Sequence, residues 1–183
     1  SSYYQHFWEG IKKCYDYDKP IFTKVGIELL SKQIDEKYQN YGDWFDECFR
    51  KVNFETMFLD QYWAPHNMDI DKKHYSLIFQ VNKLVYDIGA AKNVYNDGNM
   101  EFVEFKENSG VESINSLNDY LNFADFMLQS AIKNGAIGLK NSMAYGRSID
   151  YEKISIEMAT SLFDKSQQLN ADEVKALQDF MFH

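Results

Sequence analysis

The sequence predicts an α/β fold built on a parallel sheet. Short apolar segments of strand character alternate with long amphipathic helices, the βαβ pattern that implies parallel pairing and crossover connections. Only two prolines occur in 183 residues, which leaves long helices unbroken. A composition of 45% hydrophobic and 26% charged residues is that of a chain able to bury a core.

The first fifty residues read as helical and aromatic. Tyr3, Phe7, Ile11 and Tyr15 recur at every fourth position and mark one helix face. After Pro20, a second helical pattern carries Val25, Ile27, Leu30, Ile34 and Tyr38. Asp43 is the expected N-cap of a short helix bearing Trp44, Phe45, Cys48 and Phe49. The pattern then changes period. Phe54–Asp60 is an apolar strand candidate ending on a carboxylate, and a loop through Tyr62, Trp63, Pro65 and His66 follows it. Tyr75–Val81 is a second strand candidate, whereas residues 86–112, rich in Gly, Asn and Asp, read as an insertion or long connection with a short hairpin or edge strand at Met100–Phe105.

Ser116 opens the clearest helix, with Leu117, Tyr120, Leu121, Ala124, Leu128, Ala131 and Ile132 on one face and Gly135 as its stop. The strand Ala136–Lys140 comes next and ends on a lysine, ahead of a polar loop holding Tyr145 and Arg147. A further helix is expected from Ser148 through Ile154, Met158 and Leu162. Asn170 and Glu173 form a capping box ahead of a last helix through Val174, Leu177, Phe180 and Met181.

The formal charge of −9 argues against a nucleic-acid partner, because phosphate is repelled overall. Cys14 and Cys48 stand outside any C-x-x-C and read as reduced thiols of a cytoplasmic protein. No apolar run approaches the ~20 residues of a membrane span. The opening Ser1-Ser2-Tyr3-Tyr4 has no initiator Met, and Phe182-His183 ends on an apolar face, so the expectation is an internal segment of a longer polypeptide.

Gly135-Ala136-Ile137-Gly138-Leu139-Lys140, with Ala144-Tyr145-Gly146-Arg147 and the segment order from the aromatic helices through Asp60, resembles the amidohydrolase superfamily, nearest in organisation to its uronate isomerase-like branch. The resemblance implies a partial (β/α)8 TIM barrel, in which residues 54–60, 75–81 and 136–140 are strands two to four of a single domain over 1–183 and residues 1–50 flank the barrel mouth. It also implies a metal-dependent hydrolase with a divalent metal, zinc or similar, that activates water against a carbonyl-like centre of a small-molecule substrate. The fragment alone is expected to be inactive and metal-free, since the family's His-x-His strand is missing. An isomerase or decarboxylase on the same barrel, and a non-catalytic aromatic-rich interaction module, are the rival readings.

Within that resemblance Lys140 is the lysine that becomes a metal-bridging carbamate, with an anion-binding or salt-bridging lysine as the alternative. Asp60 is the second catalytic candidate, orienting a metal ligand or contacting substrate, against a solvated strand-end aspartate. Arg147 is suited to grip a substrate carboxylate, or else caps a helix or pairs with Asp150; the Tyr145 hydroxyl is suited to donate to an oxyanion. Trp63 walls a pocket or simply packs, and His66 is the one histidine placed near it. The four histidines fit no zinc motif, the acidic pairs fit no EF-hand loop, and no phosphate-binding glycine motif occurs. An open sheet edge is expected to favour self-association into a homo-oligomer.

Overall fold

The computed structural model describes residues 2–19, 23–61, 64, 67–90, 109–165 and 168–183. The chain divides into two compact units, Ser1–Met57 and Phe58–His183.

The first unit holds α1 (Ser2–Tyr15), α2 (Lys24–Tyr38) and α3 (Tyr41–Val52). Thr23 caps α2 by accepting a hydrogen bond from the Gly26 amide. Helix α3 begins earlier than Asp43, with Asn40 at the cap position. Asp43 instead lies in the first turn, accepts a 2.6 Å hydrogen bond from Asn40 Nδ2 and faces the positive end of the helix. Asn53 ends α3 in the left-handed conformation, φ 57°, which asparagine tolerates. Rings join the helices: Trp44 lies 5.0 Å from both Tyr15 and Tyr38, and Phe45 5.2 Å from Phe49. Trp44 Nε1 also donates to the Cys14 carbonyl at 3.0 Å, so its polar edge is satisfied. Of the stripe foreseen on α1 only Ile11 is buried; Tyr3 and Phe7 stay exposed. A charge network completes the unit. Glu47 reaches Lys51 at 2.6 Å and Lys37 at 3.1 Å, and Lys51 reaches Asp16 at 2.6 Å.

The second unit contains β1 (Met57–Asp60), β2 (Tyr75–Gln80) and β3 (Ala136–Lys140) in the order β1-β2-β3. Strand β3 pairs with β2 in parallel, with Ile78 opposite Gly138 and Gln80 opposite Lys140. The register shifts between Leu77, opposite Ala136, and Ile78, so Ile137 is the extra residue of a bulge. Around the sheet lie α4 (Asn82–Tyr86), a 3-10 turn at Asp87–Ala90, α5 (Leu117–Lys133), a 3-10 turn at Met143–Tyr145, α6 (Ile156–Lys165) and α7 (Ala171–Phe182). The expected caps form. Ser116 and Asp119 make a reciprocal capping box on α5, Asn170 and Glu173 one on α7, and Gly135 takes φ +91° after α5. The core gathers Leu77 and Phe79 from β2 with Tyr120, Phe123 and Met127 of α5, Phe163 of α6 and Leu177 of α7. Tyr120, fully buried, keeps its hydroxyl bonded to the Leu84 carbonyl at 2.7 Å.

This architecture corrects the barrel expectation. Among the described residues there are three strands, in an open sheet with β1 and β3 at its edges. A (β/α)8 barrel closes on eight, so three neighbouring strands flanked by helices satisfy the same local pattern without closure. The hairpin or edge strand expected at Met100–Phe105, and most of the insertion or long connection placed at 86–112, lie outside the described residues. Helix α6 starts at Ile156 rather than Ser148, because residues 148–155 are held against α7 instead. Tyr151 stacks on Phe182 at 3.8 Å, and the Glu152 amide donates to Asp179.

Arg147 anchors that segment. Its guanidinium donates to the Asp179 carboxylate and, at 2.9 Å, to Gln178 Oε1, and it lies 4.8 Å from the Tyr151 ring. Asp179 is 1% exposed and also accepts from Lys175 at 2.5 Å. Burial alone raises its pKa; the hydrogen bonds from Lys175 and Arg147 outweigh that and hold the carboxyl below the ordinary aspartate value. Replacing Asp179 by Ala leaves a largely buried guanidinium without its counter-ion, and urea unfolding should show a loss of about 3 kcal/mol. A loss under ~1 kcal/mol would mean that solvent screens the pair.

Glu47 gives a pH prediction for the first unit. Hydrogen bonds from Lys51 and Lys37 draw its carboxyl from 4.5 to about 2. A depressed carboxyl stabilises the fold fully above its ordinary value, and that contribution is lost as pH falls toward 2. The urea midpoint followed by helical circular dichroism should therefore decline from pH 4.5 to 2, and Glu47→Gln should flatten that part of the curve. A variant curve parallel to the wild type would remove Glu47 from the explanation.

Candidate functional site

Each strand of the sheet ends on a polar side chain at one rim: Asp60, Gln80 and Lys140. Asp60 joins them. Its Oδ1 accepts from Gln80 Nε2 at 2.5 Å, and its Oδ2 lies 3.1 Å from Lys140 Nζ. The Gln80 hydrogen bond first, and the Lys140 ammonium after it, hold the Asp60 carboxyl below the ordinary aspartate value against partial burial. Asp60 is thus held as a carboxylate at neutral pH.

The loops beyond β2 and β3 are tied together just above this row. Asn82 Nδ2 donates to Ser142 Oγ at 2.5 Å, and the Ser142 amide donates back to Asn82 Oδ1 at 2.9 Å. The Tyr86 hydroxyl donates to the Met143 carbonyl at 3.3 Å. Together with Tyr145 and Gly146 these groups line an open crevice of about 640 Å³. A Cβ at Gly146 would stand 2.7 Å from the Tyr86 hydroxyl, so a larger residue there would displace that side chain. A crevice outside the carboxyl ends of parallel strands is where open α/β sheets bind ligands.

The sequence-derived candidates separate accordingly. Asp60, Lys140 and Tyr145 line the crevice, with Tyr145 97% exposed. Arg147 does not; it belongs to the clasp with Asp179. Trp63 and His66 lie outside the described residues. Gln80, Asn82, Tyr86 and Ser142 were not foreseen. For Gln80 the signal was present, since it closes an apolar strand just as Asp60 and Lys140 do. Asn82 and Ser142 meet across 60 positions of chain and carry no local signature.

Among the described residues, the donor set of the crevice does not fit a divalent cation. Asp60 is the sole carboxylate of the crevice lining, with Lys140 and Gln80 on its oxygens, and no group of three metal-ligating side chains occurs among the described residues. A carbamate on Lys140 would set a second anion against Asp60 with no such group to hold the pair. Among the described residues no helix is long and apolar enough to cross a membrane.

No family model matches the chain, and no solved structure matches it. Over 150 residues the chain is 29% identical to a protein of Methanocaldococcus jannaschii named "Probable DNA double-strand break repair nuclease NurA". The alignment takes in 69% of this chain and 38% of that relative, so the chain spans well under half of the relative's length. This similarity overturns the amidohydrolase resemblance, together with the carbonyl hydrolase, isomerase, decarboxylase and interaction-module readings that accompanied it. A relative named for a nuclease also overturns the exclusion of nucleic acid and the choice of a small molecule as substrate. The physical reason for the first error is that one short strand ending on lysine, followed by a polar loop, is a generic βα feature. The second error took a whole-chain charge for a local one.

Proposed function

We propose that this chain is part of a nuclease-type protein that acts on DNA, with the crevice at the carboxyl ends of β1, β2 and β3 as the place where the strand is met. The observation that carries the reading is the 29% identity, over 69% of the chain, to a protein named as a DNA break repair nuclease. The crevice supports it by setting an ammonium, a carboxylate and amide and hydroxyl groups around an open space of about 640 Å³, room for a nucleotide-sized group.

In phosphodiester hydrolysis, water oxygen bonds to phosphorus, the bond from phosphorus to the sugar oxygen breaks, and that oxygen leaves with a proton. Lys140 Nζ is a compact positive charge for the phosphoryl oxygens. Asp60, held ionised by Gln80 and Lys140, is an acceptor for a hydrogen of the attacking water. Among the described residues, no group of three metal-ligating side chains occurs. The fold-wide charge of −9 does not oppose DNA contact at one crevice, since binding responds to the local field. A protein acting on DNA works in the compartment that holds it, in keeping with the cytoplasmic setting expected from the sequence.

The test is direct. The purified protein is incubated with end-labelled single-stranded and linear duplex DNA in Mg²⁺, in Mn²⁺ and in EDTA, and products are resolved on denaturing gels. Shortened products are expected in at least one condition, with Lys140→Ala slower by roughly tenfold to a hundredfold. Neither binding nor cleavage of any DNA would end the proposal.

A further inference from the structure

The Tyr145 side chain is 97% exposed on the crevice wall, and no hydrogen bond or ring contact among the described residues holds it. Its backbone, by contrast, is fixed. The Gly146 and Arg147 amides bond the Met143 carbonyl at 2.9 and 3.0 Å, Met143 is fully buried, and Arg147 is clasped by Asp179. A rigid turn therefore presents a free aromatic face to the ligand space. Pre-organisation of this kind lowers the ordering cost of binding.

The charges point the same way. The crevice holds one ammonium, Lys140, already 3.1 Å from the Asp60 carboxylate, in a chain of net charge −9. Phosphate attraction there is weak, so affinity must come from contacts indifferent to charge. Every nucleobase offers a π-face, and stacking on an aromatic ring works with any sequence. In intact duplex those faces are covered by neighbouring bases, whereas an unpaired strand leaves them open.

Building on the nuclease reading, we infer that Tyr145 is a base-stacking residue, and that the crevice takes an unpaired nucleotide with its base on the Tyr145 ring and its phosphate toward Lys140. The ring, and not the hydroxyl, carries the role.

The experiment is fluorescence anisotropy of the purified protein in EDTA with three labelled probes: a short oligothymidylate, an abasic strand of equal length and a blunt duplex. The oligothymidylate should bind best. Tyr145→Ala should weaken it about tenfold, and Tyr145→Phe should stay within about twofold of wild type. The abasic strand should bind weakly and show no response to Tyr145→Ala, while Lys140→Ala weakens both strands. At 97% exposure, Tyr145 can be truncated without disturbing the core, and matching circular dichroism spectra check that. If wild type binds the oligothymidylate but Tyr145→Ala is unchanged, or Tyr145→Phe is as weak as Tyr145→Ala, the stacking role is wrong and the nuclease reading stands. If wild type binds none of the three probes, the nuclease reading fails and the stacking role falls with it.

Discussion

Parallel pairing of β2 with β3, in the register that sets Gln80 opposite Lys140, is the constraint from which the crevice follows. Side chains alternate faces along a strand, so a slip of one residue would carry Lys140 out of reach of its partner. The bulge at Ile137 sets the register. Were Ile137 paired with Ile78 in a regular ladder, Gln80 would stand opposite Leu139, and the lysine would lie past the end of the ladder. Bulges re-aim side chains beside functional sites. Ile137 and the regularly paired Leu139 both stand exposed on this edge strand, at 57% and 61%. Gly138 sits beside the bulge, with Ile78 Cδ1 3.4 Å from where a Cβ would be.

Two ion pairs of the second unit, Arg147–Asp179 and Lys140–Asp60, serve different ends because their surroundings differ. Arg147–Asp179 is closed off from water, ringed by Gln178, Lys175 and Tyr151, and holds the loop after β3 onto α7. Lys140–Asp60 is open, its lysine 44% and its aspartate 33% exposed. An exposed pair contributes little to stability, and its partners remain available to a ligand. The same loop thus has a fixed root at Arg147 and a free ring at Tyr145, two residues apart.

What the sequence made legible were the features written locally. Strand ends at Asp60 and Lys140, the helix start at Ser116, the capping box at Asn170 and the helix stop at Gly135 each rest on a few neighbouring residues, and each is present. Long-range choices were not legible. Whether a βαβ unit continues into a closed barrel is decided by strands far along the chain, and three strands satisfy the same periodicity as eight. Arg147 was read as a grip for a substrate carboxylate, or else as a helix cap or a partner of Asp150, yet its partner is Asp179, 32 positions away. Residues 148–155 carry a helical pattern but spend their contacts on α7, a tertiary override of local preference.

The exclusion of nucleic acid failed for a related reason. A sum of −9 describes the average field, and acidic residues such as Glu47 and Asp16 contribute to it while bound in the lysine network of the first unit. At the crevice the balance is one charge of each sign. A locally neutral site neither attracts nor repels a phosphate backbone strongly, so discrimination there rests on shape, hydrogen bonding and stacking. Counterion release scales with the number of phosphates neutralised, and one lysine implies a shallow salt dependence. On the proposed reading, contact with DNA at such a site rests on the bases more than on the charge, and the exposed ring of Tyr145 on its fixed turn is suited to it.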